Sequence, residues 1–206
     1  MRLLMSIKRQ NLSNSQLTYV GVYQNGKKQQ RWIVNYYNCE IGGGYYDNFG
    51  QKINQWVELH ENFGGGCEVV YKGFYKFGKK FGNWEIMHRQ DADNQFQVIG
   101  YQIFNEFGLK NGIQIELREI FLNDYQIIYV GSYKNGIKSG YWEIKYRESH
   151  RDQFIKIGEG YYNEKGLKVG IWIDIDDDFH NFNKQINIGL YTQGEKSGQF
   201  IVKELE

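Results

Sequence analysis

The sequence predicts an all-β protein, an elongated solenoid of about seven consecutive β-hairpins. Three observations carry that prediction. The stretch YKGFYKFGKKFGNWEIMH, starting at Tyr71, returns 58 positions later as YVGSYKNGIKSGYWEIKY, starting at Tyr129. Strong two-residue turn signals, Asn25-Gly26 and Asn135-Gly136, sit at the same place in their copies. The chain has 17 Tyr, 13 Phe and 25 Gly but no Pro, and alanine occurs only at Ala92. That balance favours strands over helices.

The repeats alternate between two forms. Form A reads Y-x-G-x-Y-x-x-G-x-K-x-G-x-W and starts at Tyr19, Tyr71, Tyr129 and Asn187. Form B starts at Gly42, Gly100 and Gly158 and has one more residue before its turn glycine. The anchor positions are Trp32, Trp56, Trp84, Gln114, Trp142, Trp172 and Phe200, and the A-B pair recurs every 58 residues. We number these repeats 1 to 7.

In form A, Phe77-Gly78 and Gln193-Gly194 fill the slot of the Asn-Gly turns. Counting outward from a two-residue turn pairs Tyr133 with Lys138, Gly131 with Gly140 and Tyr129 with Trp142. The same count pairs Gly73 with Gly82 and Tyr71 with Trp84. Flanking aromatics would lean over the facing glycines. In form B, Gly50, Gly108 and Gly166 suit a longer loop with a left-handed glycine. After the anchor, Trp142, Ile144 and Tyr146 alternate with Glu143, Lys145 and Arg147. The extra loop residue of form B predicts the opposite phase there. Ile173 and Ile175 would then point inward, leaving Trp56 and Trp172 partly exposed.

A lone hairpin cannot bury its apolar face, whereas stacked hairpins share one. We therefore expect a single repeat domain over 19–206. Residues 1–18 are expected to form an N-terminal strand or cap, because LLMSIKRQ (3–10) resembles the end of a second strand. The last expected strand reaches almost to Glu206, so no further domain is expected.

These motifs resemble the MORN (membrane occupation and recognition nexus) repeat, Y-x-G-x-x-x-x-G-x-x-x-G-x-G. The matching positions are Tyr19, Gly21, Gly26 and Trp32, then Tyr71, Gly73, Gly78, Gly82 and Trp84. Tyr129, Gly131, Gly136, Gly140 and Trp142 follow, then Gly160, Gly166, Gly170 and Trp172, then Gly189, Gly194 and Gly198. The longer period and the Trp after the late glycine look closer to the variant class found in bacterial proteins and abundantly in ciliates. The resemblance covers residues 19–203. It implies a stack of hairpins serving as a scaffold, with no catalytic residue or cofactor of its own.

Net charge is +1, which gives no footprint for nucleic acid. No apolar run reaches the roughly 18 residues of a membrane helix. Cys39 and Cys67 make no disulfide framework, which points to a reducing, cytoplasmic compartment. The basic start MRLLMSIKRQNLSNSQ is too weakly apolar for a secretory signal; a mitochondrial address is the alternative. His60, His88, His150 and His180 read as polar loop positions too far apart to share a metal. Asp174 and Asp176–Asp178 lack the spacing of a calcium loop and read as a solvated linker. Gly42–Gly44 and Gly64–Gly66 lack the Lys-Ser/Thr of a phosphate loop and read as close backbone packing.

Lys28, Lys52, Lys80, Lys110, Lys138, Lys168 and Lys196 recur once per repeat. They read either as edge protection or as a basic stripe for an acidic partner such as a lipid headgroup. The expected function is a non-enzymatic scaffold contacting other proteins in a larger complex. The resemblance makes a ciliary or cytoskeletal one the natural candidate. Contact candidates are Tyr45, Trp56, Tyr161, Trp172 and the segments 89–98 and 175–185. The alternative is peripheral binding to anionic lipid through the lysines.

Overall fold

The computed structural model describes residues 4–12, 15–91 and 94–205, with the backbone alone through residue 16. All fifteen strands pair antiparallel, and no helix forms among the described residues. The chain divides into two compact units, Met1–Leu109 and Lys110–Glu206.

The first unit is one eight-stranded sheet in strict chain order. Its strands are β1 (Leu4–Leu12), β2 (Ser15–Gln24), β3 (Lys27–Tyr36), β4 (Cys39–Tyr46), β5 (Lys52–Leu59), β6 (Val69–Lys76), β7 (Lys79–His88) and β8 (Gln97–Phe104). The second unit is a seven-stranded sheet, again in chain order. It holds β9 (Gly112–Leu117), β10 (Gln126–Lys134), β11 (Ile137–Arg147), β12 (Ile155–Tyr162), β13 (Lys168–Ile175), β14 (Gln185–Thr192) and β15 (Glu195–Glu204). Neither sheet closes on itself: β1 and β8 are the edges of the first, β9 and β15 of the second.

The turns follow the sequence signals. Asn25-Gly26, Phe77-Gly78, Asn135-Gly136 and Gln193-Gly194 all have positive φ at both central residues. That is the hairpin turn whose twist matches the strands. In the longer form B loops, the side-chain oxygens of Asp47, Asn105 and Asn163 each accept two loop N–H groups. Gly50, Gly108 and Gly166 take the left-handed conformation. These loops contain the additional residue of form B within themselves.

That containment overturns the expected phase flip. The second strands of both forms present their anchors to the same face, so Trp56 and Trp172 are buried, at 5% and 2% exposure. Val57, Leu59, Ile173 and Ile175 are half-buried and pack against aliphatic clusters distinct from those of the tryptophans.

The expected register also changes. Tyr133 pairs with Lys138 as counted, but Gly131 lies opposite Trp142 and Tyr129 opposite Ile144. A bulge takes up the difference: Gly140 and Tyr141 have no counterpart on β10. Likewise Tyr71 pairs with Ile86, not Trp84. The residue two before every anchor has positive φ: Gln30, Asn54, Gly82, Gly112, Gly140, Gly170 and Gly198. The late glycines therefore serve the bulge conformation. The holes covered by aromatics lie at Gly21, Gly44, Gly73, Gly131, Gly160 and Gly189 instead, each beneath the ring of its own repeat's anchor.

Two aromatic cores result. In the first unit Trp32, Trp56, Trp84 and Phe104 interleave with Tyr23, Tyr46 and Tyr75, edge to face. In the second, Trp142, Trp172 and Phe200 interleave with Tyr133, Tyr162 and Tyr191. Beside these lie aliphatic cores built on Leu17, Val34 and Val70, and on Ile127, Ile144 and Ile186. Buried Phe63, Phe121 and Phe179, at 58-residue spacing, anchor the connection from each form B hairpin to the next form A hairpin.

Candidate functional site

The turn lysines do not form an outward stripe. Six of the seven are half-buried, and their ammonium groups lie over rings of the aromatic core. Lys28, Lys52, Lys80, Lys138 and Lys168 sit 4.3, 4.5, 4.1, 4.4 and 4.4 Å from the centroids of their own repeats' tryptophans. Lys110 lies over Tyr133 and Lys196 over Phe200, each at 5.1 Å. The ring faces attract the cations, and the lysine stems cover the indoles.

An acid recurring every 58 residues completes this arrangement. Glu58 accepts from Lys52, from Lys80 at 2.9 Å and from the Tyr75 hydroxyl at 2.8 Å. Glu116 does the same with Lys110, with Lys138 at 2.8 Å and with Tyr133 at 2.8 Å. Burial draws both carboxyls upward, but the paired lysines outweigh it and hold them below the usual carboxylate range. Burial and then the nearby glutamate push the Tyr75 hydroxyl far above its ordinary value. The third acid, Asp174, accepts from Lys168 and, at 3.4 Å, from Tyr191. These acids stand two residues past the form B anchors. Their regular spacing is the signal in the sequence that could have located them.

Each unit has a groove on this face. In the first, Tyr19, Lys28, Trp32, Tyr46, Lys52 and Glu58 line a groove of about 540 Å³. In the second, the equivalent residues Tyr129, Lys138, Trp142, Tyr162, Lys168 and Asp174 line one of about 430 Å³. Asp176 lines the second groove where His60 lines the first, and Arg118 joins it there. Arg118 donates to the carbonyls of Asp177 and Phe179 at 2.6 and 2.7 Å, tying two loops together.

No protein-family model matches the chain, and no curated protein matches it.

The opposite face carries the row of residues immediately before the anchors and their cross-strand neighbours. In the second unit this row is Ile113, Ser132, Tyr141, Tyr161, Ile171 and Leu190. All but Ser132 are exposed, from 42% at Leu190 to 67% at Ile113. In the first unit the row reads Arg31, Tyr45, Gln55, Phe74, Asn83 and Ile103, with polar residues alternating. Tyr45 and Tyr161, at 48% and 53% exposure, lie in these rows, whereas Trp56 and Trp172 face the other way and are covered.

Other expected positions move too. His60 and His88 are buried, and the His60 ring stacks on Tyr71. Desolvation lowers the His60 pKa. Its Nδ1 lies 3.8 Å from the Cys67 sulfur, whose thiol burial pushes up to about 12, so the thiolate is strongly disfavoured. Among the described residues, no group of three or more His, Cys, Asp or Glu side chains is arranged to hold a metal ion.

The aspartate run is a solvated linker only at Asp177 and Asp178, which are exposed in a turn. Asp174 lies in β13, and Asp176 accepts from Asn187 and from the Asp178 N–H. Gly42–Gly44 do pack closely: β-carbons there would strike the Val57 and Trp32 carbonyls and the Trp56 indole. Gly64–Gly66 instead serve a tight turn, all three having positive φ. Within segment 89–98, Arg89 pairs with Glu68 at 2.5 Å and stacks over Phe96. Residues 92 and 93 of that segment lie outside the described residues.

Proposed function

We propose that the chain is a hairpin-repeat scaffold that binds other proteins through the open faces of its sheets. The observation that carries this reading is the exposed row Ile113, Tyr141, Tyr161, Ile171 and Leu190. Contiguous apolar surface of this kind marks interaction sites on soluble proteins. The other face is occupied by its own lysines, acids and aromatic rings, so partner contact falls to the row. The MORN-like repeats support reading each unit as a short hairpin solenoid, a form that offers extended surfaces. A cytoplasmic assembly of ciliary or cytoskeletal type is what the resemblance adds. Protein contact is preferred to anionic-lipid binding because the turn lysines are drawn onto rings and carboxylates.

The test is cross-linking mass spectrometry of the tagged protein purified from its native source. Stoichiometric partners should cross-link through Lys134, Lys145 and Lys156 beside the row. A Tyr141→Ser, Tyr161→Ser, Ile171→Ser triple variant should keep its melting temperature and lose those partners. Recovery of the chain alone, or only with membranes, would remove the proposal.

A further inference from the structure

Two of the three acid ladders are closed, and the third is not. Glu58 and Glu116 each bridge two lysines, one from the form B turn and one from the following form A turn. Asp174 is one methylene shorter. It pairs with Lys168, and its contact with the Tyr191 hydroxyl stretches to 3.4 Å where the other two ladders have 2.8 Å. Lys196 occupies the position of Lys80 and Lys138, yet among the described residues it forms no ion pair. It is exposed and lines the second groove with Arg118, Lys138 and Lys168.

We propose that this groove binds a small oxyanion, a phosphate or carboxylate group, held between Lys196 and Lys168. The anion would stand where the second carboxylate oxygen of Glu58 or Glu116 stands in the closed ladders. Charge-assisted hydrogen bonds from ammonium groups are the strong kind. Three carboxylates also line the groove. Asp174 is engaged by Lys168, Asp176 accepts from Asn187 and the Asp178 N–H, and Asp177 stands beside them. Lys138 is paired with Glu116 and Lys168 with Asp174, and Arg118 is held by the Asp177 and Phe179 carbonyls, which leaves Lys196 as the lining cation whose ammonium meets no carboxylate directly among the described residues. The inference concerns the face opposite the exposed row and stands apart from the scaffold reading.

The experiment titrates the full chain with inorganic phosphate, and separately with acetate, following phosphorus line width and binding heat. The parent should bind saturably. Asp174→Glu should bridge Lys168 and Lys196, as Glu58 bridges its pair, and weaken phosphate by about tenfold or more. Lys196→Met should weaken it similarly, and its exposed site keeps the fold intact. Affinity for phosphate alone would indicate a phosphoryl ligand, and comparable affinity for acetate a carboxylate one. Absence of saturable binding to either anion, or equal binding in parent and both variants, would overturn the proposal.

Discussion

Gly131 lies directly beneath the indole of Trp142, on the neighbouring strand of the same hairpin. A β-carbon on Gly131 would overlap the ring. Gly131→Ala is therefore expected to cost about 1–3 kcal/mol, as overpacked cores do. Urea unfolding would measure it. Adding Trp142→Phe should recover part of that loss, because neighbouring substitutions couple. Strictly additive losses would disprove the direct contact.

Phe77 has φ of 51° at the first central position of its turn, and its ring is 77% exposed. A bulky side chain in the left-handed region is strained by about 1 kcal/mol. Asn25 and Asn135 occupy the same position in repeats 1 and 5. Phe77→Asn should raise stability by about 1 kcal/mol, or about 4–8 °C in melting temperature for a unit of this size. Calorimetry showing a lower melting temperature would contradict the strain argument.

The closed ladders make stability depend on acid. Glu58 and Glu116 are held below the usual carboxylate range, so the unfolded chain takes up protons first. Their contribution is intact above the unfolded value of about 4.3 and is lost as pH falls through the lower folded value. Glu116→Gln should cost about 2 kcal/mol at neutral pH by leaving Lys110 and Lys138 without their acid. It should also flatten the decline of stability below about pH 4. Chemical melts across that range measure both effects. A variant as acid-sensitive as the parent would contradict the role assigned to Glu116.

Much of the fold was legible in the residues. The 58-residue recurrence, the Asn-Gly turns and the left-handed form B glycines placed six of the seven hairpins; in repeat 4, β8 and β9 do not pair with each other but end different sheets. Register was less legible. The bulge before each anchor depends on a left-handed residue that is Gln30 in repeat 1 and Asn54 in repeat 2, where no glycine announces it. The burial of Trp56 and Trp172 was missed for a related reason, since their loops absorb the additional residue by donating backbone N–H groups to the side chains of Asp47 and Asn163. The lysine recurrence was visible, but its direction was not. That direction follows from Glu58, Glu116 and Asp174, whose significance emerges only when strands β5, β9 and β13 are laid beside their neighbours. Phe63, Phe121 and Phe179 were hidden among polar linker residues despite their regular spacing.

Where the glycine and anchor slots hold Gln102 and Gln114, β8 and β9 belong to different sheets. Both members of the ring-over-glycine pair have changed together. A single change would leave either a ring without its hollow or a hollow without its ring.

The form B loops keep their additional residue to themselves, and this separates loop length from strand register. A hairpin with a two-residue turn and one with a longer loop present the same surface to whatever precedes and follows them. Gene duplication or unequal recombination could therefore cut and rejoin this array at any hairpin without turning its downstream strands inside out. Inheritance can proceed one hairpin at a time, even though the sequence repeats in pairs.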